Sequence, residues 1–180
     1  GPRPLVEALA KAGHSPPGLV ISDLMMPVMD GYTLLRHWRQ DDKLRNIPFV
    51  VYRLGLSYFD QFTSIERDQK NTEIAKGYFE TVITSHAKSP YAEEARVKLA
   101  KCIEYLAEHD FNVAWFYLEQ EKYPAARDRF EEIVRRYRGS PTAVKSLFYL
   151  GESYRREKNG VKAALAYEAL IQHYPQSKFA

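Results

Sequence analysis

The sequence predicts a mainly α protein, an α-α superhelix of stacked helix pairs behind a short N-terminal α/β segment, and three observations predict it. A small residue, an aromatic four positions on and an aliphatic three further recur as Ala75, Phe79 and Val82, as Ala126, Phe130 and Ile133, and as Ala163, Tyr167 and Leu170. Each set is followed by a terminator of one build: Ser89-Pro90-Tyr91-Ala92, Ser140-Pro141-Thr142-Ala143 and Ser177-Lys178-Phe179-Ala180. Both markers advance by 51 and then by 37 residues, as one repeated helical unit requires. From Tyr52 onward the apolar residues keep helical spacing, whereas the residues before it change period from helix to strand and back.

Residues 4–13 read as a short helix, with Leu5, Leu9 and Ala12 on one face, Pro4 at its start and Gly13 at its end. Leu19-Val20-Ile21-Ser22 is a strand-length apolar run closed by Asp23. Asp30-Gly31 opens a second helix, and Ile47-Pro48-Phe49-Val50-Val51-Tyr52 is a second strand candidate. Helix, strand, helix, strand is the rhythm of a parallel sheet. The first two residues, Gly1-Pro2 in place of Met, suggest a fragment or a proteolytic scar and are set aside from fold reasoning.

The run LVISDLMMPVMDG, residues 19–31, resembles the receiver domain of two-component response regulators. The resemblance implies that Asp23, closing its strand, matches the phosphoacceptor, with Met25, Pro27 and Gly31 on the loop behind it. It covers residues 3 to about 52 only. The acidic pair that holds Mg²⁺ in that family belongs to a strand without a counterpart here, Arg53 stands where a hydroxyl residue is expected, and no fifth strand with its lysine follows. Without that metal cage phosphoryl transfer lacks charge neutralisation, so Asp23 is expected to be inactive, and Mg²⁺ would enter only with a complete receiver.

Beyond residue 51 the chain reads as helices to its end. Leu54-Gly55-Leu56-Ser57-Tyr58 and Leu150-Gly151-Glu152-Ser153-Tyr154 share a Leu-Gly-x-x-Tyr pattern, which in tetratricopeptide repeats lets a first helix approach its partner, the Gly leaving room and the Tyr filling the groove. In the first repeat Gly55 stands too far from Ala75, so the polar stretch Thr63 to Asn71 is expected to be an inserted loop. The segment Ala92 to Gln120 has no Pro or Gly, and Val97, Leu99, Ile103, Leu106, Val113, Phe116 and Tyr117 recur at helical spacing, which predicts one unbroken helix. A second helix begins near Pro124 and stops at Gly139-Ser140-Pro141. Cys102, the chain's one cysteine, lies mid-helix and is expected to be a buried structural thiol.

The wording of these repeats, YRLGLSYFDQ, RDQKNTEIAKGYFETVI and SPYAEEARVKLAKCIEYLAEHDFNVAWFYLEQEKYPAARDRFEEIV, resembles the BamD family, tetratricopeptide lipoproteins of outer-membrane β-barrel assembly. The similarity runs from about Tyr52 to Ala180 and corresponds to the last three of that family's five repeats. It implies a non-enzymatic scaffold with a BamA-like partner, in a parent at the periplasmic face of the outer membrane. The signal peptide, lipid-bearing cysteine and first repeats of the family have no match in these residues. The alternative function is a response-regulator-type signalling protein, which would place the chain in the cytoplasm.

Composition excludes several classes. Lys and Arg number 26 against 23 Asp and Glu, interspersed, so no basic footprint for nucleic acid exists. No apolar run is long enough to span a membrane as a helix. The five histidines show no HxxxH or HExxH spacing and pair with no second cysteine, so neither a metal nor another cofactor is expected. The basic clusters Arg135-Arg136 and Arg155-Arg156 read as solvated helix ends, where cations meet the dipole. In stacked helix pairs the first helices line the surface where partners dock, and here that surface draws on Tyr58, Phe116, Tyr117, Phe148 and Arg155.

Overall fold

The computed structural model describes residues 48–180, and among these every regular element is helical. Six helices follow in order: α1 Pro48–Phe59, α2 Lys70–Ser85, α3 Tyr91–Glu119, α4 Tyr123–Arg136, α5 Pro141–Arg156 and α6 Gly160–His173. The expected helix at 4–13, the strand at 19–22 and Asp23 lie outside the described residues. The strand expected at 47–52 is corrected over its described part, because Pro48 to Tyr52 form the first turns of α1. Pro at the first helical position costs no hydrogen bond, and a short Val-rich run suits a buried helix as well as a strand. Burial decides: Val50, Val51, Tyr52 and Leu54 are all buried.

The described residues fall into two compact units. The first contains residues 48–62 and 70–99. Here α1 packs on α2, and Ala75, Phe79 and Val82 are fully buried, as their recurrence predicts. A Cβ on Gly55 would lie 2.7 Å from the Phe79 ring, so the glycine does leave room, but for the aromatic of the second helix. Tyr58 stacks instead on Tyr78 at 5.8 Å between centroids. The start of α3 closes this unit through the Tyr52 hydroxyl, which donates to Glu94 at 2.8 Å, and through Tyr91 stacked on Tyr52 at 5.5 Å.

The second unit contains residues 63–69 and 100–180. Its core joins Leu106, Ala107, Phe111, Ala114 and Leu118 of α3 to Ala126, Phe130 and Ile133 of α4, with Tyr137 and Ala143. Helix α3 is unbroken over 29 residues, as the sequence predicts. Its buried face differs from the one expected, because Val97 and Phe116 are 54% and 57% exposed while small residues such as Ala107 and Ala114 are fully buried. Cys102 is buried. The loop expected at Thr63 to Asn71 spans residues 60–69, since Lys70 and Asn71 already belong to α2, and one of its turns is held by the Gln69 side chain, which donates to the carbonyls of Ser64 and Arg67 at 2.9 and 2.8 Å.

The repeat period is visible in the backbone. Helices α3 and α5 both end in a left-handed residue, Glu121 at φ 57° and Lys158 at φ 62°. The next N–H in each case reaches back five residues, Lys122 to the Tyr117 carbonyl at 3.0 Å and Asn159 to the Tyr154 carbonyl at 2.9 Å. This is the Schellman arrangement that satisfies the last carbonyls of a helix and reverses the chain. Ser140 caps α5 by accepting from Ala143 N–H at 3.1 Å, and Asn159 caps α6.

Candidate functional site

The five residues expected to face a partner do not form one cluster. Tyr58 belongs to the first unit, half-buried on Tyr78. The other four lie in the second unit, on α3 and α5. Phe116 is exposed, its ring centroid 5.9 Å from that of Tyr117, which packs on the core. Phe148 is half-buried, enclosed by Tyr149 at 5.2 Å, Tyr167 at 5.9 Å and Phe179 at 5.5 Å. Arg155 is exposed, and its guanidinium donates to Glu152 at 2.7 Å.

Charges on α3 and α5 are matched in register. Lys145 of α5 reaches Glu108 of α3 at 3.5 Å, and Arg156 of α5 reaches Glu119 of α3, also at 3.5 Å. Both pairs join residues 37 apart, so equivalent positions of successive repeats carry opposite charges. Between them Trp115 meets Tyr149 edge-on at 4.9 Å, and Lys145 stands 3.6 Å above the Phe111 ring. The Lys145–Glu108 pair is half-buried and the Arg156–Glu119 pair more exposed; solvent-screened pairs add little stability, so their effect is to keep the α3–α5 face near neutral. The sequence reading missed Glu108, Lys145, Trp115 and Tyr149. Laying α3 over α5 at the 37-residue offset would have found the two charged pairs.

At the start of α5 a polar group is drawn inward. Thr142 is buried, and its hydroxyl lies at 2.8 Å from Glu104 and in a shorter contact with Glu108. The second Glu104 oxygen is buried without a hydrogen-bond partner. Beside this, Tyr137 donates to Asp110 at 2.7 Å. At the far end of α5 the Tyr167 hydroxyl donates to Glu152 at 2.5 Å. Burial, then this bond, push the Tyr167 hydroxyl up to about 12. The bond from Arg155, despite opposing burial, holds the Glu152 carboxyl below its usual range, and the same bond raises Arg155. Gly151 lies against Tyr167 as Gly55 lies against Phe79, since a Cβ there would collide with Cε1 of the ring and fall 2.8 Å from Cδ1.

Among the described residues no group of three or more His, Cys, Asp or Glu is placed to hold a metal ion, and no helix is long and apolar enough to cross a membrane. The α3–α5 surface offers aromatic and charged contacts in register.

A family model described as YfiO, outer membrane lipoprotein, matches residues 32–166. The chain is 31% identical over 134 residues to outer membrane protein assembly factor BamD of Rickettsia prowazekii, covering 74% of this chain and 53% of that protein. It is 28% identical over 134 residues to BamD of Vibrio cholerae, covering 69% and 56%. With BamD of Caulobacter vibrioides it shares 28% over 106 residues, covering 59% and 35%. The chain spans about half the length of the curated relatives it matches. The family match begins at residue 32, well before Tyr52.

Proposed function

Since this chain belongs to the YfiO family of outer membrane lipoproteins, we propose that it is a non-enzymatic protein-interaction scaffold of outer-membrane protein assembly. The observation that carries the reading is the family match over residues 32–166, which includes α1 to α5 and the start of α6. The structure supports it through repeated helix pairs whose α3–α5 face sets aromatic rings and opposite charges in register. The partner we propose is the periplasmic part of a BamA-like subunit; the outer-membrane setting is what the relatives' names suggest. Phe116 is the residue to favour as an anchor, because an exposed aromatic on a supported helix loses little freedom on binding. Tyr117, whose ring centroid lies 5.9 Å from that of Phe116, supports it from the core side, and Arg155 and Arg156 sit at the rim.

Calorimetry with the soluble periplasmic domain of BamA from the same organism tests this, in chelator and without nucleotide. Saturable binding in the micromolar range or tighter is the expected result. A folded chain that gives no heat of binding at concentrations well above micromolar would overturn the assignment.

A further inference from the structure

Asn159-Gly160 is the chain's one Asn-Gly pair, and it forms the entry to α6. The Asn159 amide oxygen accepts from the Lys162 N–H at 3.2 Å, and the Asn159 N–H donates to the Tyr154 carbonyl. Both bonds hold Asn159 at the start of α6, and the nucleophile of any ring closure there is the following peptide nitrogen. That nitrogen belongs to Gly160, the first helical residue, whose N–H has no carbonyl to meet inside its own helix. Gly160 is exposed, and a Cβ built on it would meet no atom within 4 Å. Lys158, just before the pair, takes the left-handed conformation that turns the chain outward.

We propose that Asn159 is a site of spontaneous deamidation in the folded chain. The Gly160 nitrogen gives its proton to solvent base and attacks Asn159 Cγ, forming the N–Cγ bond of a five-membered imide. The Cγ–Nδ2 bond breaks, and Nδ2 leaves as ammonia with a proton from solvent. Water then opens the imide at either carbonyl, giving aspartate or isoaspartate at position 159. Neither step needs an oxidant, a reductant or a cofactor. Lys158 and Lys162 flank the pair and favour the transient negative charge on nitrogen. The two products act differently on α6. Aspartate keeps an accepting oxygen at the cap and adds a charge that the helix N-terminus favours. Isoaspartate lengthens the backbone by a methylene and withdraws the acceptor from Lys162.

The test follows the purified chain at mildly alkaline pH by peptide mass spectrometry, beside Gly160→Ala and beside the wild-type chain in urea. The expected result is the mass gain of amide-to-acid exchange confined to the Asn159 peptide, resolved into two isomers. Asn71 and Asn112, which precede Thr72 and Val113, should stay unchanged. Gly160→Ala should lose the gain while keeping its helical circular dichroism. A native chain that stays intact at Asn159, while the unfolded chain reacts there, would overturn the proposal, since the cap would then shield the site. So would an undiminished gain in Gly160→Ala.

Discussion

Replacing Gly151 by Ala should destabilise the second unit, although Ala is the better helix former. The added Cβ would lie 2.8 Å from Cδ1 of Tyr167 and 2.9 Å from Cζ. The ring cannot swing freely away, because its hydroxyl donates to Glu152 at 2.5 Å and its face meets Phe148 at 5.9 Å. Overpacking of a filled site costs about 1–3 kcal/mol, and replacing a mid-helix glycine returns about 0.5–1 kcal/mol. With the ring held in place, overpacking falls in the upper part of its range, so the net loss is about 1–2.5 kcal/mol, a fall in Tm of roughly 2–10 °C for a chain of this size. Gly160→Ala is the control, because its Cβ meets nothing. Thermal melts followed by circular dichroism read both. In a Tyr167→Leu background the loss from Gly151→Ala should largely vanish, since the colliding ring edge is gone. Refutation would be a Gly151→Ala variant as stable as Gly160→Ala, or a loss unchanged by Tyr167→Leu.

Phe130→Ala should cost about 3–5 kcal/mol, because the ring is fully buried beside Phe111 and Tyr149, and denaturant melts will show it. Thr142→Val keeps the shape but leaves Glu104 and Glu108 without their shared hydroxyl, and should cost about 1–3 kcal/mol in the same assay. The Tyr167 hydroxyl is raised from 10.0 to about 12, so its contribution is complete below about pH 10 and is lost as pH rises through about 12. Across that window the melting temperature of the wild type should fall more steeply than that of Tyr167→Phe. Amide exchange across Glu108 to Asp110 should be as slow as on either side, since α3 is one helix; a fast-exchanging break there would mean two.

The recurring small, aromatic and aliphatic residues were legible because burial fixes them: Ala75, Phe79, Val82, Ala126, Phe130 and Ile133 are all buried where the repeat places them. The continuity of α3 was legible from the absence of Pro and Gly. Its buried face was not, because alanines that fill close helix contacts weigh little in an apolar pattern, while Val97 and Phe116 weigh much and face solvent. The first turns of α1 misread as a strand for a related reason, since Phe49-Val50-Val51-Tyr52 has strand composition and only its packing makes it helical. At the candidate surface, the exposure of Phe116 and the enclosure of Phe148 depend on neighbours far along the chain. The paired charges Glu108–Lys145 and Glu119–Arg156 follow from the 37-residue period, yet each alone looks like an ordinary solvated residue.

The most direct test of the scaffold reading titrates the periplasmic domain of BamA into the wild-type chain and into Phe116→Ala, Arg155→Ala and Phe130→Ala. Phe116→Ala should weaken binding about tenfold, the loss of an exposed anchor, with no change in Tm. Arg155→Ala should weaken it less, also without a change in Tm. Phe130→Ala should lose binding together with its helical signal. Binding that survives Phe116→Ala and Arg155→Ala unchanged, or that persists in an unfolded Phe130→Ala, would contradict the claim that the folded α3–α5 face holds the partner.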